Sequence, residues 1–106
     1  MLKWFEEWFY NQCNEDWEHG YGIKIETIDN PGWEITIDLE NTKINLEKID
    51  WILIGDYENS WVGYKIEEKK FNGACSPKNL NILIQIFKEI NDFGLVDVSK
   101  ISSLLK

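Results

Sequence analysis

From Trp33 to Leu39 the chain alternates without a break. Trp33, Ile35, Ile37 and Leu39 fall on one side, Glu34, Thr36 and Asp38 on the other. A period of two sends successive side chains to opposite faces of a pleated strand. One apolar and one polar face suits an antiparallel sheet with a packed side and a wet side. Upstream, Ile23 to Ile28 forms a second strand, with Ile23, Ile25 and Thr27 opposite Lys24, Glu26 and Ile28. Asn30-Pro31-Gly32 joins the two. Pro31 presets φ at the second turn position and Gly32 can take the positive φ of a type II turn. The chain is therefore organised around a β-hairpin.

The flanking segments supply helices and more strands. Leu2, Phe5, Trp8 and Phe9 recur at helical spacing, widened by Trp4, which predicts a helix over residues 2–12. Asn11 to Gly20 is a polar, acidic connection. Residues 40–49 are ambiguous, with Ile44 and Leu46 compatible with a short edge strand. Trp51 to Ile54 is apolar on both faces, so it is expected to be central or covered. Gly55 to Ser60 is a polar turn. Trp61 to Glu68 is a further strand, with Val62, Tyr64 and Ile66 inward. Phe71 to Cys75 reads as a loop. Ser76-Pro77 is a helix start, a hydroxyl cap followed by proline at the first helical position. Leu80, Leu83, Ile84, Phe87 and Ile90 form that helix's apolar stripe, and Gly94 its stop. Val98, Ile101, Leu104 and Leu105 suggest a short extra helix in the tail, residues 93–106, capped by Asp97. The expected fold is α+β: a four- to five-stranded antiparallel sheet with an N-terminal and a C-terminal helix packed on one face.

A length of 106 residues suits one domain over residues 1–106. With 43% hydrophobic and 14% aromatic residues, including six Trp, the composition is that of a chain with a real core. The net charge is −8 and every one of the eleven basic residues is Lys. Bidentate recognition of phosphate is mostly an Arg task, and an acidic chain repels nucleic acid and anionic membranes. A macromolecular partner is expected to be basic. Cys13 and Cys75 have no CxxC spacing and are too few for a disulfide scaffold. They read as reduced thiols, and a bridge between them would need an oxidising compartment. Glu6 and Glu7 interrupt any signal-peptide core, and no apolar run is long enough to span a membrane. A cytoplasmic protein, monomeric and without cofactor, is expected.

Several constellations could carry chemistry. Cys13, Asp16, Glu18 and His19 are metal-capable, but adjacent Glu18 and His19 point apart in a helix or strand, and no HExxH or paired-Cys spacing is present. A Cys13–His19 nucleophile pair would lack an orienting group and an oxyanion site. His19 is expected to hydrogen-bond within its loop. No catalytic residue and no metal ligand are assigned. The carboxylates Glu15, Asp16, Glu18, Asp29, Asp56 and Glu58 gather in loops, either as solvated loop charge or as an acidic face for a cationic protein. Trp17, Trp33, Trp61, Tyr21 and Tyr57 lie in or beside the same loops, and Trp and Tyr are favoured interface anchors. Trp4, Trp8 and Trp51 read as core. Trp61, beside an acidic turn, is the first choice for an exposed anchor. The expected partner-binding set is thus Glu15, Asp16, Glu18, Asp29, Asp56, Tyr57, Glu58 and Trp61.

Trp8 to His19, ending in Asp16-Trp17-Glu18-His19, and Gly22 to Trp33, with its Asp29-Asn30-Pro31-Gly32-Trp33 turn, carry a resemblance to the immunity protein 53 family. Asp50-Trp51, Phe71-Asn72-Gly73-Ala74 and Pro77 to Phe87 add weaker support, so the likeness runs from about Trp4 to about Ile90. The chain departs from the pattern at Asn14-Glu15, where an acidic-plus-glycine step is expected, and at Cys75, where a glycine is expected. The resemblance implies a bacterial immunity protein that sits beside a toxin gene and neutralises the cognate toxin by stoichiometric binding. Variable loops such as Asp56 to Trp61 would set specificity. A basic nuclease is the toxin class an acidic surface suits, since that surface can occupy a phosphate-binding cleft. Two other readings stay open: a small metal- or thiol-dependent enzyme using Cys13, Glu18 and His19, and a homo-oligomeric scaffold using the apolar tail Leu95 to Leu105.

Overall fold

A computed structural model describes residues 1–105. The elements run α1 (Leu2–Gln12), α2 (Trp17–Gly20), β1 (Ile23–Ile28), β2 (Gly32–Asp38), β3 (Ile49–Gly55), β4 (Trp61–Glu67), β5 (Lys70–Cys75), α3 (Leu80–Phe93) and α4 (Val98–Leu104). The five strands form one antiparallel sheet in the order β1-β2-β5-β4-β3.

Register explains the layering. Paired residues share a face, so Ile35, Gly73, Tyr64 and Ile52 lie in one row and Ile37, Phe71 and Ile66 in the next. This is the packed face. α3 lies against β5 and β4, α4 against β3, and α1 against α3. Phe87 of α3 is the hub. Phe71 lies 5.3 Å from it, Trp8 4.9 Å and Phe5 6.0 Å, ring centre to ring centre. Gly73 is glycine because Leu83 occupies the space above it, 2.5 Å from where a Cβ would stand. The other face of the sheet, with Glu34, Thr36, Lys65, Asn72 and Ala74, carries no helix.

The hairpin, α1, the capped tail helix and the left-handed Gly94 stop occur as expected, with the Asp97 carboxylate accepting the Lys100 N–H. In α1 the stripe is narrower than expected: Phe5 and Trp8 are buried, whereas Leu2 is exposed. Other expectations need correction. The fifth strand is Phe71 to Cys75, within β5, not Ile44 to Leu46. Those two residues sit in the 39–48 loop, Ile44 buried among the core side chains without strand pairing. The β5 run Phe71-Asn72-Gly73-Ala74-Cys75 hid its alternation because its inward positions include Gly73, which is apolar by packing rather than by side chain.

β3 is an edge strand, not a central one. Ile52 and Ile54 point to the packed face, and Trp51 and Leu53 point to the open one. The turn at Asn30-Pro31-Gly32 is not type II: the Asn30–Pro31 bond is cis and Gly32 is not in the positive-φ region. Gly32 is required instead for close approach, since a Cβ there would stand 2.2 Å from the Cys75 carbonyl oxygen. Ser76-Pro77 precedes α3 by a turn, and Asn79 is the N-cap residue. Ser76 is committed elsewhere: its hydroxyl accepts the Trp61 N–H at 3.1 Å and donates to the Trp61 carbonyl at 3.2 Å. The Asn79 amide donates to Ser76 Oγ at 2.8 Å and to Ser60 Oγ at 2.9 Å, closing a buried network under the β3–β4 turn.

Candidate partner-binding surface

The eight candidate residues separate into two groups. Glu15, Asp16 and Glu18 lie before β1; Asp29, Asp56, Tyr57, Glu58 and Trp61 lie beyond its far end. Six strand residues at 3.3 Å each put about 20 Å between the groups.

In the first group the Glu18 carboxylate is engaged in local structure, whereas the Glu15 and Asp16 carboxylates are exposed and make no hydrogen bond or ion pair among the described residues. Both Glu18 carboxylate oxygens accept backbone N–H groups, from Asn14 and Glu15, each at 2.9 Å. Hydrogen bonds from backbone N–H groups, its own first, hold the Glu18 carboxyl below the usual range. The Asn14 side chain in turn accepts the Asp16 and Trp17 N–H groups at 3.0 and 2.8 Å. Glu15 takes a positive φ of 74° to allow this. The loop thereby drives Trp17 inward, 3% exposed, where its indole N–H donates to the Glu40 carbonyl at 2.8 Å. Trp17 is a core anchor packed on Trp8, not an interface residue. His19 is exposed and its ring makes no hydrogen bond among the described residues, so it does not tether the loop; Trp17 does. The Cys13 thiol donates to the Phe9 carbonyl. Among the described residues, no three His, Cys, Asp or Glu side chains are placed to hold a metal ion.

The second group is brought together. The β1–β2 and β3–β4 turns lie side by side, and Asn30, Pro31, Tyr57, Glu58, Trp61 and Pro77 line one depression between them. Asp29, Asp56 and Glu58 are exposed here. Asp56 shapes its turn by accepting the Glu58 N–H at 2.9 Å and the Asn59 amide at 2.8 Å, and these bonds lower its pKa. Tyr57 is 56% exposed.

Trp61 reverses expectation. It is 5% exposed, with the Tyr57 ring 5.0 Å from its own, and it lies outside the main core. The β1–β2 turn, the β3–β4 turn and the Ser76-Pro77 segment after β5 meet around it. Trp51 reverses expectation in the other direction. At 41% exposed, it is the large aromatic presented on the open face, its indole N–H donating to the Tyr57 hydroxyl at 2.9 Å. It rests on Gly63, where a Cβ would stand 2.2 Å from the ring. The sequence carried a signal for this. Val62, Tyr64 and Ile66 pointing inward leave Gly63 and Lys65 outward, a small residue and a polar one, with nothing to bury a Trp.

The geometry is thus a continuous surface: an acidic turn end, Tyr57 at its corner, and Trp51 leading onto an uncovered sheet face. A family model described as Immunity protein 53 matches residues 2–92. No curated protein and no solved structure matches the chain.

Proposed function

The chain belongs to the immunity protein 53 family, and we propose that it neutralises its cognate toxin by forming a stoichiometric complex through the turn end and the adjoining open face. Family membership supplies the immunity function and the toxin partner. The observation that supports this surface is the exposed Asp56-Tyr57-Glu58 turn, held in shape by its own hydrogen bonds and joined to Trp51. A preformed acidic and aromatic edge keeps the ordering cost of binding low, and aromatic anchors carry much of the energy in interfaces. The charge of −8 favours a basic toxin, with a nuclease as the class whose phosphate cleft such an edge would fill. The action proposed is blockade, not chemistry on the toxin.

The test is co-expression with the toxin domain encoded beside this gene, scoring survival and co-purification, followed by association rates at rising salt. Survival with a complex, and an association rate that falls with salt and in Asp56→Lys/Glu58→Lys, is the expected result. Survival without a complex would overturn blockade. Salt-indifferent binding would overturn the basic partner.

A further inference from the structure

The open face of the sheet holds a shallow trough bounded by Glu34 and Trp51, with Thr36, Lys65, Asn72 and Ala74 between them. One wall is aromatic and fixed: the Trp51 ring rests on Gly63 and its N–H is held by Tyr57. The other wall is a carboxylate without a counter-ion. Every other acidic side chain on this face has a lysine: Glu26 has Lys24 at 3.1 Å, Glu67 has Lys65 at 3.2 Å, and Asp38 has Lys70 at 3.4 Å. Among the described residues, Glu34 makes no such pair. It also stands directly across from Glu26 in the β1–β2 register, a like-charge pairing that costs stability. Lys65 borders the trough but is committed to Glu67.

We propose that this trough seats a cationic side chain of the toxin, an arginine or a lysine, stacked on Trp51 and paired with Glu34. The inference rests on the toxin-binding reading above and names the chemistry of one contact within it. A cation over an indole face and a charge-assisted bond to a carboxylate reinforce one another. The planar guanidinium fits both walls better than an ammonium, because it stacks and donates in one plane. The pairing also cancels the Glu26–Glu34 repulsion that the free protein carries. Tyr57 makes the trough continuous with the Asp56–Glu58 turn, so one partner segment can cover both.

The test has two arms. In the first, 15N-labelled protein is titrated with acetyl-Gly-Arg-Gly-amide while the indole N–H signals are followed. The Trp51 signal should move progressively. The citrulline analogue, of the same shape but neutral, should leave it in place, and Glu34→Lys should abolish the response. An unmoved Trp51 signal, or an equal response to citrulline, overturns the cation seat whatever the toxin does. In the second arm, toxin affinity is compared for the wild type, Glu34→Lys and Glu7→Lys. Glu7 lies exposed on α1, and its reversal changes the net charge equally. Glu34→Lys should weaken the complex by about tenfold or more, and Glu7→Lys by much less. Equal affinities for the wild type and Glu34→Lys overturn the toxin side chain as the occupant. Failure of the wild type itself to bind, with the peptide response intact, counts against the proposed function and not against the seat.

Discussion

At the residue scale, the two thiols show how burial decides chemistry. Cys75 is fully buried on the packed face, and that burial pushes its pKa up to about 11. The thiolate is the reactive form, so Cys75 is inert near neutral pH. Cys13 is only half-buried. Titration of the native protein with a thiol reagent at pH 8 should modify one cysteine, and titration in denaturant two; rapid native modification of both would contradict the packing around Cys75. The two thiols show no signal in the sequence that would rank them. The distinction comes from β5, whose inward face Cys75 occupies. The exchange of roles between Trp51 and Trp61 is also a tertiary matter. A Trp beside an acidic turn looks exposed and a Trp in an apolar run looks buried, yet both lie on the open face. Trp51 stays exposed there because no helix covers it, and Trp61 is buried because Tyr57 and the neighbouring turns pack against its end of the sheet.

At the scale of the element, turn chemistry is where stability responds to pH. Asp56 and Glu18 each have a pKa lowered by hydrogen bonds to backbone N–H groups, led by the Glu58 N–H for Asp56 and by its own for Glu18. A depressed folded pKa means that the stabilisation is present above the unfolded value and is lost as pH falls through the folded one. Thermal stability should therefore decline as pH drops below about 4.5, the region of unfolded carboxylates. Asp56→Asn should flatten that decline, and a melting profile unchanged between the two would remove the turn as its source. Helices and the β1–β2 hairpin were legible because their periodicity is complete within a short window. The type II turn was not, because Gly32 answers a contact with Cys75, more than forty residues away, and local pattern carries no record of such a neighbour. β5 was missed for a related reason: Gly73 reads as loop until Leu83 is placed above it.

At the scale of the whole molecule, the tail is the part whose importance the family match understates. The match ends at residue 92, yet Ile101 of α4 is fully buried in the core. Glu89 of α3, itself 5% exposed, accepts the Asp97 N–H at 2.9 Å and lies 3.3 Å from the Lys100 ammonium. Loss of α4 with its Asp97 cap would remove both partners of that carboxylate and uncover β3. Ile101→Ala should cost about 2–5 kcal/mol in denaturant unfolding, the range for emptying a buried aliphatic site. A cost below about 0.5 kcal/mol, the usual size of a surface change, would mean that α4 is not integral to the core.

The sequence alone determined the α+β class, the hairpin, the long helices, the acidic balance and the family signature. Each is written in local spacing or in total charge. Tertiary structure alone decided the strand order, the edge position of β3, the union of the β1–β2 and β3–β4 turns, and which sheet face stays open. These depend on pairings between residues far apart in the chain. Glu34 and Trp51 stand seventeen positions apart with a whole loop between them. Only the order β2-β5-β4-β3 lays them on one surface, with Ala74 and Gly63 in the row that joins them, and so turns an ordinary carboxylate and an expected core tryptophan into the walls of a single site.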